Sequence, residues 1–332
     1  MRAIVGLAAS ALVAVAAVKA FSHRPTPPMP PTRLAIESMQ FDTIARSQAG
    51  LVIGGELGSL LYSGDQGKDW NIAKVQPERQ ALITQTAFAA DGLRGLSVGH
   101  EGWILRTQDG GKTWKEVAFD EKNGEPFMGA TYMGEQHWMV VGAFGRALRS
   151  DDDGQTWQPV VLPDAVADMH LNRVVGSADR QHWLIVGEAG LVLRSDDQGE
   201  TWTQEEPFYN GSFYDALALP QGGWLVYGMR GHAFVQHDGG PWRQSEIPGP
   251  VSFYGHALLP DGRILLVGQG GVVATSTDGG LHFSFDRLPG RASLTDIALD
   301  DQGAGWITST AGLLPYHLPQ GAGAASSTAG SQ

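Results

Sequence analysis

One short motif returns six times at near-constant intervals, and that regularity restricts the chain more than any other feature. The motif is Ser/Thr-x-Asp-x-Gly followed three residues later by an aromatic ring. It reads Ser63-Gly-Asp65-Gln-Gly67-Lys-Asp-Trp70, then Thr107-Gln-Asp109-Gly-Gly111-Lys-Thr-Trp114. Ser150-Asp-Asp152-Asp-Gly154-Gln-Thr-Trp157 and Ser195-Asp-Asp197-Gln-Gly199-Glu-Thr-Trp202 follow. A shortened copy, His237-Asp238-Gly-Gly240-Pro-Trp242, precedes a sixth, Ser276-Thr-Asp278-Gly-Gly280-Leu-His-Phe283. The aromatic residues recur every 40–45 positions. A period of about 40–50 residues is that of a β-propeller blade, a four-stranded sheet repeated radially.

The sequence between the motifs fits such a blade. Short apolar runs ending in Gly precede each motif, such as Trp183-Leu-Ile-Val-Gly187 and Ile264-Leu-Leu-Val-Gly268, and a second run leads into it, such as Leu191-Val-Leu-Arg194. They are too short for helices and are bounded by turn formers. With one earlier strand per unit, each repeat supplies strands a, b, c and d, and the motif falls at the c–d turn. A seventh unit begins at Leu294 and stops after Tyr316 without a motif or a strand d. The expected fold is therefore all-β: a seven-bladed propeller over 34–318, closed by Leu34–Glu37, which supplies the missing outer strand of the last blade and pairs its open edge.

The ends carry other signals. Met1-Arg2 followed by an apolar run from Ala3 to Val18 reads as a signal peptide or an uncleaved signal anchor over 1–21. That implies export to the periplasm, with membrane contact only through this segment if it is retained. Residues 22–33 contain five prolines and read as a stiff linker. Residues 319–332, made of Gly, Ala, Ser, Thr and Gln with one Pro, read as a disordered tail.

The net charge of −12 disfavours nucleic acid. With no cysteine the chain has no disulfide, no thiolate zinc site and no Cys nucleophile. No metal-ligand spacing, phosphate loop or nucleophile elbow is present, so neither a metal nor a cofactor is expected. In the repeated motif the carboxylate can accept backbone N–H groups within its own turn, and the Gly two positions on supplies a left-handed backbone. Asp65, Asp109, Asp152, Asp197, Asp238 and Asp278 are thus read as structural, since one identical carboxylate per blade makes no acid–base pair.

The six motifs resemble the Asp boxes, or bacterial neuraminidase repeats, of sialidases. The longer unit, carried best by Gly99 to Trp114, Gly142 to Trp157 and Gly187 to Trp202, is similar to that of the photosystem II stability/assembly factor family. The resemblance covers roughly residues 34 to 318. It implies a lumenal or periplasmic propeller that binds membrane-protein intermediates; similar proteins in non-photosynthetic bacteria are sometimes encoded beside membrane transporters. It further implies that Arg106, Arg149 and Arg194, at one repeat position, could contribute to an anion-binding patch; the alternative is a structural Arg on each strand c. The Phe/Tyr-Arg-Ile-Pro motif of sialidases is missing from the first strand, so a non-catalytic protein-binding scaffold is expected, with a glycan-binding protein or glycosidase as the alternative.

Partner contacts are expected where the repeats diverge, at the b–c tips and d–a connections. Those positions are Glu56, His100, Glu101, Phe144, Glu188, Met229, Arg230 and Gln269 at the tips, with Tyr209 and Tyr214 between strands d and a.

Overall fold

In this computed structural model the described residues are 35–122, 124–237 and 239–319, together with positions 6, 11, 13, 14 and 19. The expected signal segment and proline-rich linker fall almost wholly outside them, as do Leu34, Asp238 and the tail from 320 on. Among the described residues no helix is long and apolar enough to cross a membrane.

Among the described residues seven sheets follow one another along residues 41–317, each built from consecutive antiparallel strands, with one added parallel strand in the second. The chain is a seven-bladed β-propeller. Strand a of the successive blades is Phe41–Ser47, Ile83–Phe88, Phe127–Gly134, Leu171–Gly176, Phe213–Ala218, Phe253–Leu258 and Leu294–Leu299. These strands neighbour one another around the ring, and the last lies beside the first. Because the strands alternate in direction, a–b and c–d turns share one face while b–c tips and d–a connections share the other.

Strand b explains why the sequence shows continuous apolar runs rather than alternation. In blade 4, Trp183–Gly187 is buried at every position, as is Ile264–Gly268 in blade 6. Each blade is covered on both faces by its neighbours, so both sides of its inner strands must be apolar. The core is accordingly a series of layers between blades. One joins Met139 and Val141 of blade 3 to Leu171, Trp183 and Ile185 of blade 4; another joins Tyr227 and Val235 of blade 5 to Phe253, Leu266 and Phe283 of blade 6.

The recurrent Asp turns lie between strands c and d, as the spacing predicts. In blade 3, Ser150 Oγ donates to Asp152 Oδ1 at 2.8 Å and accepts Gly154 N–H at 2.8 Å, while Asp152 Oδ1 accepts Thr156 N–H at 2.8 Å. Blade 4 repeats the set around Asp197, and Trp202 Nε1 donates to Gly199 O. Ser63–Asp65, Thr107–Asp109 and Ser276–Asp278 form the same hydroxyl–carboxylate bond. Asp238, the shortened copy's carboxylate, lies outside the described residues.

Two departures from the expected blade occur at its outer edge. Lys74–Gln76 leaves blade 1 and pairs in parallel with Thr113–Lys115, adding a fifth strand to blade 2. The last blade has three strands among the described residues, the outermost being Gly312–His317. The expected closing segment does reach it: Leu313 N–H donates to Ile36 O at 3.3 Å. The described part of that segment is a turn rather than a ladder-forming strand. Pro315, which has no N–H to give, interrupts donation along that edge.

Candidate functional site

Every strand a has an irregularity at its second residue, where the register to strand b shifts. The residues so released are Asp42, Thr84, Met128, Asn172, Tyr214, Tyr254 and Thr295, and all seven are partly exposed. A bulge re-aims its side chain out of the ladder. Three of them solder the ring. Thr84 Oγ1 donates to Phe127 O at 2.7 Å, Asn172 Nδ2 to Phe213 O at 2.6 Å and Thr295 Oγ1 to Phe41 O at 2.6 Å, each reaching the first residue of the next strand a.

The b–c tips stand on this same face and are locked to it. The N–H of the first tip residue donates to the carbonyl just before strand a in every blade, from Glu56 to Gln40 O at 3.0 Å through to Thr310 to Ser293 O at 3.0 Å. The middle tip residue is left-handed in six blades: Leu57, Glu101, Phe144, Ala189, Arg230 and Gly270 have φ between 51° and 66°. Five of the six carry a side chain in a conformation that most such residues avoid. The following glycine lets the next connection pass closely; a Cβ on Gly190 would overlap Tyr209 O.

This geometry separates the residues expected to meet a partner. Glu56 Oε1 accepts Gln40 N–H at 3.1 Å and Glu188 Oε1 accepts His170 N–H at 2.8 Å, so both carboxylates anchor the chain ahead of strand a. His100 is exposed, near Asp42, whose carboxyl is raised by burial. Glu101 is half-buried and Gln269 exposed. Phe144 is 52% exposed, its ring edge-on to His170 at 5.2 Å.

Only one sector gathers several of these residues. Over blades 5 and 6, Tyr214 stacks on Tyr254 with centroids 5.4 Å apart, and Tyr209 stacks on His232 at 4.7 Å. Tyr209 OH donates to Met229 O at 3.2 Å, which fixes the ring beside the tip that bears Arg230. Burial raises the Tyr214 and Tyr209 hydroxyls, and the Arg230 charge opposes that rise in both. Tyr254 and His232 were not among the sequence candidates. Tyr254 occupies the same repeat position as Tyr214, and that match was the available signal.

Arg106, Arg149 and Arg194 do not converge on a common ligand position. Each is held by an acidic or polar group of its own or the following blade. Arg106 pairs with Asp153, Arg149 with Asp151 at 2.9 Å and Glu200 at 2.6 Å, and Arg194 with Glu205 at 2.6 Å and with Gln236 Oε1 at 2.6 Å.

Beneath the mouth, residues of strand a in blades 4 to 7, with Tyr227 of strand b in blade 5, form a polar cluster that the sequence reading missed. Arg173 Nε lies 3.3 Å from Asp215 Oδ1, Tyr227 OH is 2.7 Å from His256 Nδ1, and His256 Nδ1 is 3.4 Å from Asp215 Oδ2. Burial would raise the Asp215 carboxyl, but Arg173 and His256 hold it below the ordinary value. Asp296 accepts Ile44 N–H at 2.9 Å and Ile297 N–H at 2.8 Å, yet burial pushes it up to about 6. The acceptors of both carboxylates are thus engaged within the wall. Among the described residues no group of three or more His, Cys, Asp or Glu is placed to hold a metal ion.

No protein-family model matches the chain, and no curated protein is similar to it in sequence. Solved structures are similar in shape. A YCF48 bound to a D1 peptide superposes with a TM-score of 0.67 at 19% identity, covering 90% of this chain and 100% of that one. YCF48 from Cyanidioschyzon merolae gives 0.66 at 18%, covering 86% and 97%. The GH74 xyloglucanase from Xanthomonas campestris gives 0.68 at 15%, covering 85% of this chain and 52% of that one. At such identities the likeness speaks for architecture alone: the chain is a seven-bladed β-propeller built like YCF48.

Proposed function

We propose that this protein is a non-catalytic scaffold whose tip face holds a segment of a partner protein. The observation that carries the reading is the Tyr214–Tyr254 stack flanked by Tyr209, His232 and Arg230, on tips fixed by backbone bonds. Rigid aromatic rings with a neighbouring Arg are the usual anchors of a protein interface. The YCF48 structure with a D1 peptide supports a peptide as the kind of ligand. The partner class is a membrane protein or complex undergoing assembly, and the setting is the periplasm; the apolar N-terminal run supports that setting.

Affinity capture from solubilised membranes tests this reading. The wild-type chain retains a membrane protein, and a Tyr214→Ala/Tyr254→Ala variant with an unchanged melting temperature retains about tenfold less or worse. Equal capture by both proteins overturns the assignment. The xyloglucanase likeness favours a second reading, glycan hydrolysis. A retaining or inverting glycosidase needs two carboxyl groups about 5–10 Å apart that face the substrate, whereas Asp215 and Asp296 are bound to protein groups. Release of reducing ends from xyloglucan, abolished by Asp215→Asn, would reverse the order of the two readings.

A further inference from the structure

The opposite face, which carries the a–b and c–d turns, breaks its own repeat at blade 5. In blade 3 the residue after the turn aspartate is Asp153, left-handed at φ 63°. Its carboxylate enters the cleft with blade 2 and accepts from Arg106, from Arg94 NH1 at 3.1 Å and from Trp138 Nε1 at 3.1 Å. Gln66 in blade 1 and Gln198 in blade 4 hold the same position with φ 63° and 65°. Blade 5 closes its turn one residue sooner, since Val235 pairs with Arg243 where Arg194 pairs with Thr203 in blade 4. Gly239 stands where blades 1, 3 and 4 project a side chain; Gly110 and Gly279 hold the position in blades 2 and 6, but a Cβ on them would meet Ala49 and His237, whereas on Gly239 it would meet nothing within 4 Å.

The missing side chain leaves a groove of about 750 Å³ between blades 4 and 5, within the roughly 300–1,000 Å³ of ordinary ligand sites. The Leu219–Pro220 hairpin forms one wall and is shared with a second groove of about 940 Å³ that continues over blades 6 and 7. Arg194 in the first groove is neutralised by Glu205. Asp179 and Asp196 remain there, with His182 2.8 Å from Asp196. Asp300 and Asp301 remain in the second, while Asp261 is paired with Arg263 and Asp278 with His282.

We propose that the two adjacent grooves bind an extended, basic segment of a protein, with Lys or Arg side chains directed at Asp179 and Asp196 in the cleft that corresponds to the one Asp153 fills two clefts earlier. The site takes cations because its carboxylates outnumber its cations, and an acidic segment would meet uncompensated like charge. It lies on the face opposite the tyrosine sector and does not depend on the function proposed for that sector.

Titration calorimetry on the full chain tests the proposal, with the end-blocked peptides Gly-Lys-Arg-Lys-Gly and Gly-Glu-Asp-Glu-Gly as probes. The basic peptide binds and the acidic one does not. Asp179→Asn/Asp196→Asn weakens binding about tenfold, whereas Glu78→Gln/Glu121→Gln, which removes the same charge from exposed residues of another sector, leaves it within about twofold. Gly239→Gln restores the side chain of blades 1 and 4, fills the groove and lowers affinity without changing net charge. Binding that ignores Gly239→Gln, or that falls equally with the Glu78/Glu121 pair, overturns the site in favour of diffuse attraction to an acidic surface. Loss of capture by Tyr214→Ala/Tyr254→Ala with unchanged binding of the basic peptide keeps the two faces distinct.

Discussion

The backbone N–H of Ile44, in the first strand of the ring, donates to Asp296 Oδ2 in the last blade at 2.9 Å. The two residues are 252 positions apart, and their bond lies on the seam where the ring closes. Arg46 Nε to Leu299 O at 3.2 Å and Trp306 Nε1 to Gln66 O at 2.8 Å cross the same seam.

Asp296 makes that seam dependent on pH. Its folded pKa of about 6 lies above the ordinary 3.8, so the native state binds the proton more tightly than the unfolded chain does. The associated stabilisation is complete below about pH 4 and disappears as pH rises through 6. Urea unfolding between pH 4 and 7 should show this decline in the wild type and a flatter profile in Asp296→Asn. Asp296→Ala, which leaves two N–H groups without an acceptor, should cost about 3 kcal/mol near neutrality.

The turn aspartates act in the opposite sense. Bonds from Thr156 to Asp152, and from Thr201 to Asp197, hold both carboxyls down at about 2. Their contribution is present above the ordinary value of 3.8 and is lost as pH falls through 2. Thermal melts at descending pH should therefore show a loss of stability below about pH 3.5, reduced in an Asp152→Asn/Asp197→Asn variant.

Ion pairs that look alike in sequence should differ in value. Asp153 is buried and serves Arg94, Arg106 and Trp138 together. Asp153→Ala is expected to destabilise by about 3 kcal/mol, because it strands buried donors. Arg149 pairs with Asp151 and Glu200, which are 57% and 64% exposed. Glu200→Ala should change stability by under about 1 kcal/mol, a contrast measurable in one series of denaturant titrations.

Gly67 offers a test of the seam from its outer side. Its φ is +91° and a Cβ there would overlap the Trp306 indole of the last blade. Gly67→Ala should lower stability by about 2–3 kcal/mol. The emission of Trp306, read against a Trp306→Phe control, should report the displaced ring.

The ring itself was legible because its determinants repeat: Asp65, Asp109, Asp152, Asp197 and Asp278 return with the same neighbours, and strand b is a largely apolar run in blades 1 to 6. What escaped was whatever the repeat does not impose. Arg173, Asp215, His256 and Asp296 lie on different strands a and follow no repeated pattern, so their proximity follows only from the ring setting those strands side by side. The parallel addition of Lys74–Gln76 to blade 2 had no counterpart pattern to compare. The three arginines were visible as a series, but their partners Asp153, Glu200 and Gln236 belong to the following blade. The tyrosine sector was half-seen, through Tyr209 and Tyr214 without Tyr254 and His232.

The left-handed tip residues have a practical corollary. Leu57, Glu101, Phe144, Ala189 and Arg230 occupy one backbone shape although their side chains range from apolar to acidic and basic. The fold therefore presents a row of interchangeable side chains on a constant mount, as a printing frame holds different type. A docking segment meets positions already frozen, and little freedom is lost at the tips when it binds. Exchanging one tip letter for another should retune what the face recognises while the ring beneath keeps its melting temperature.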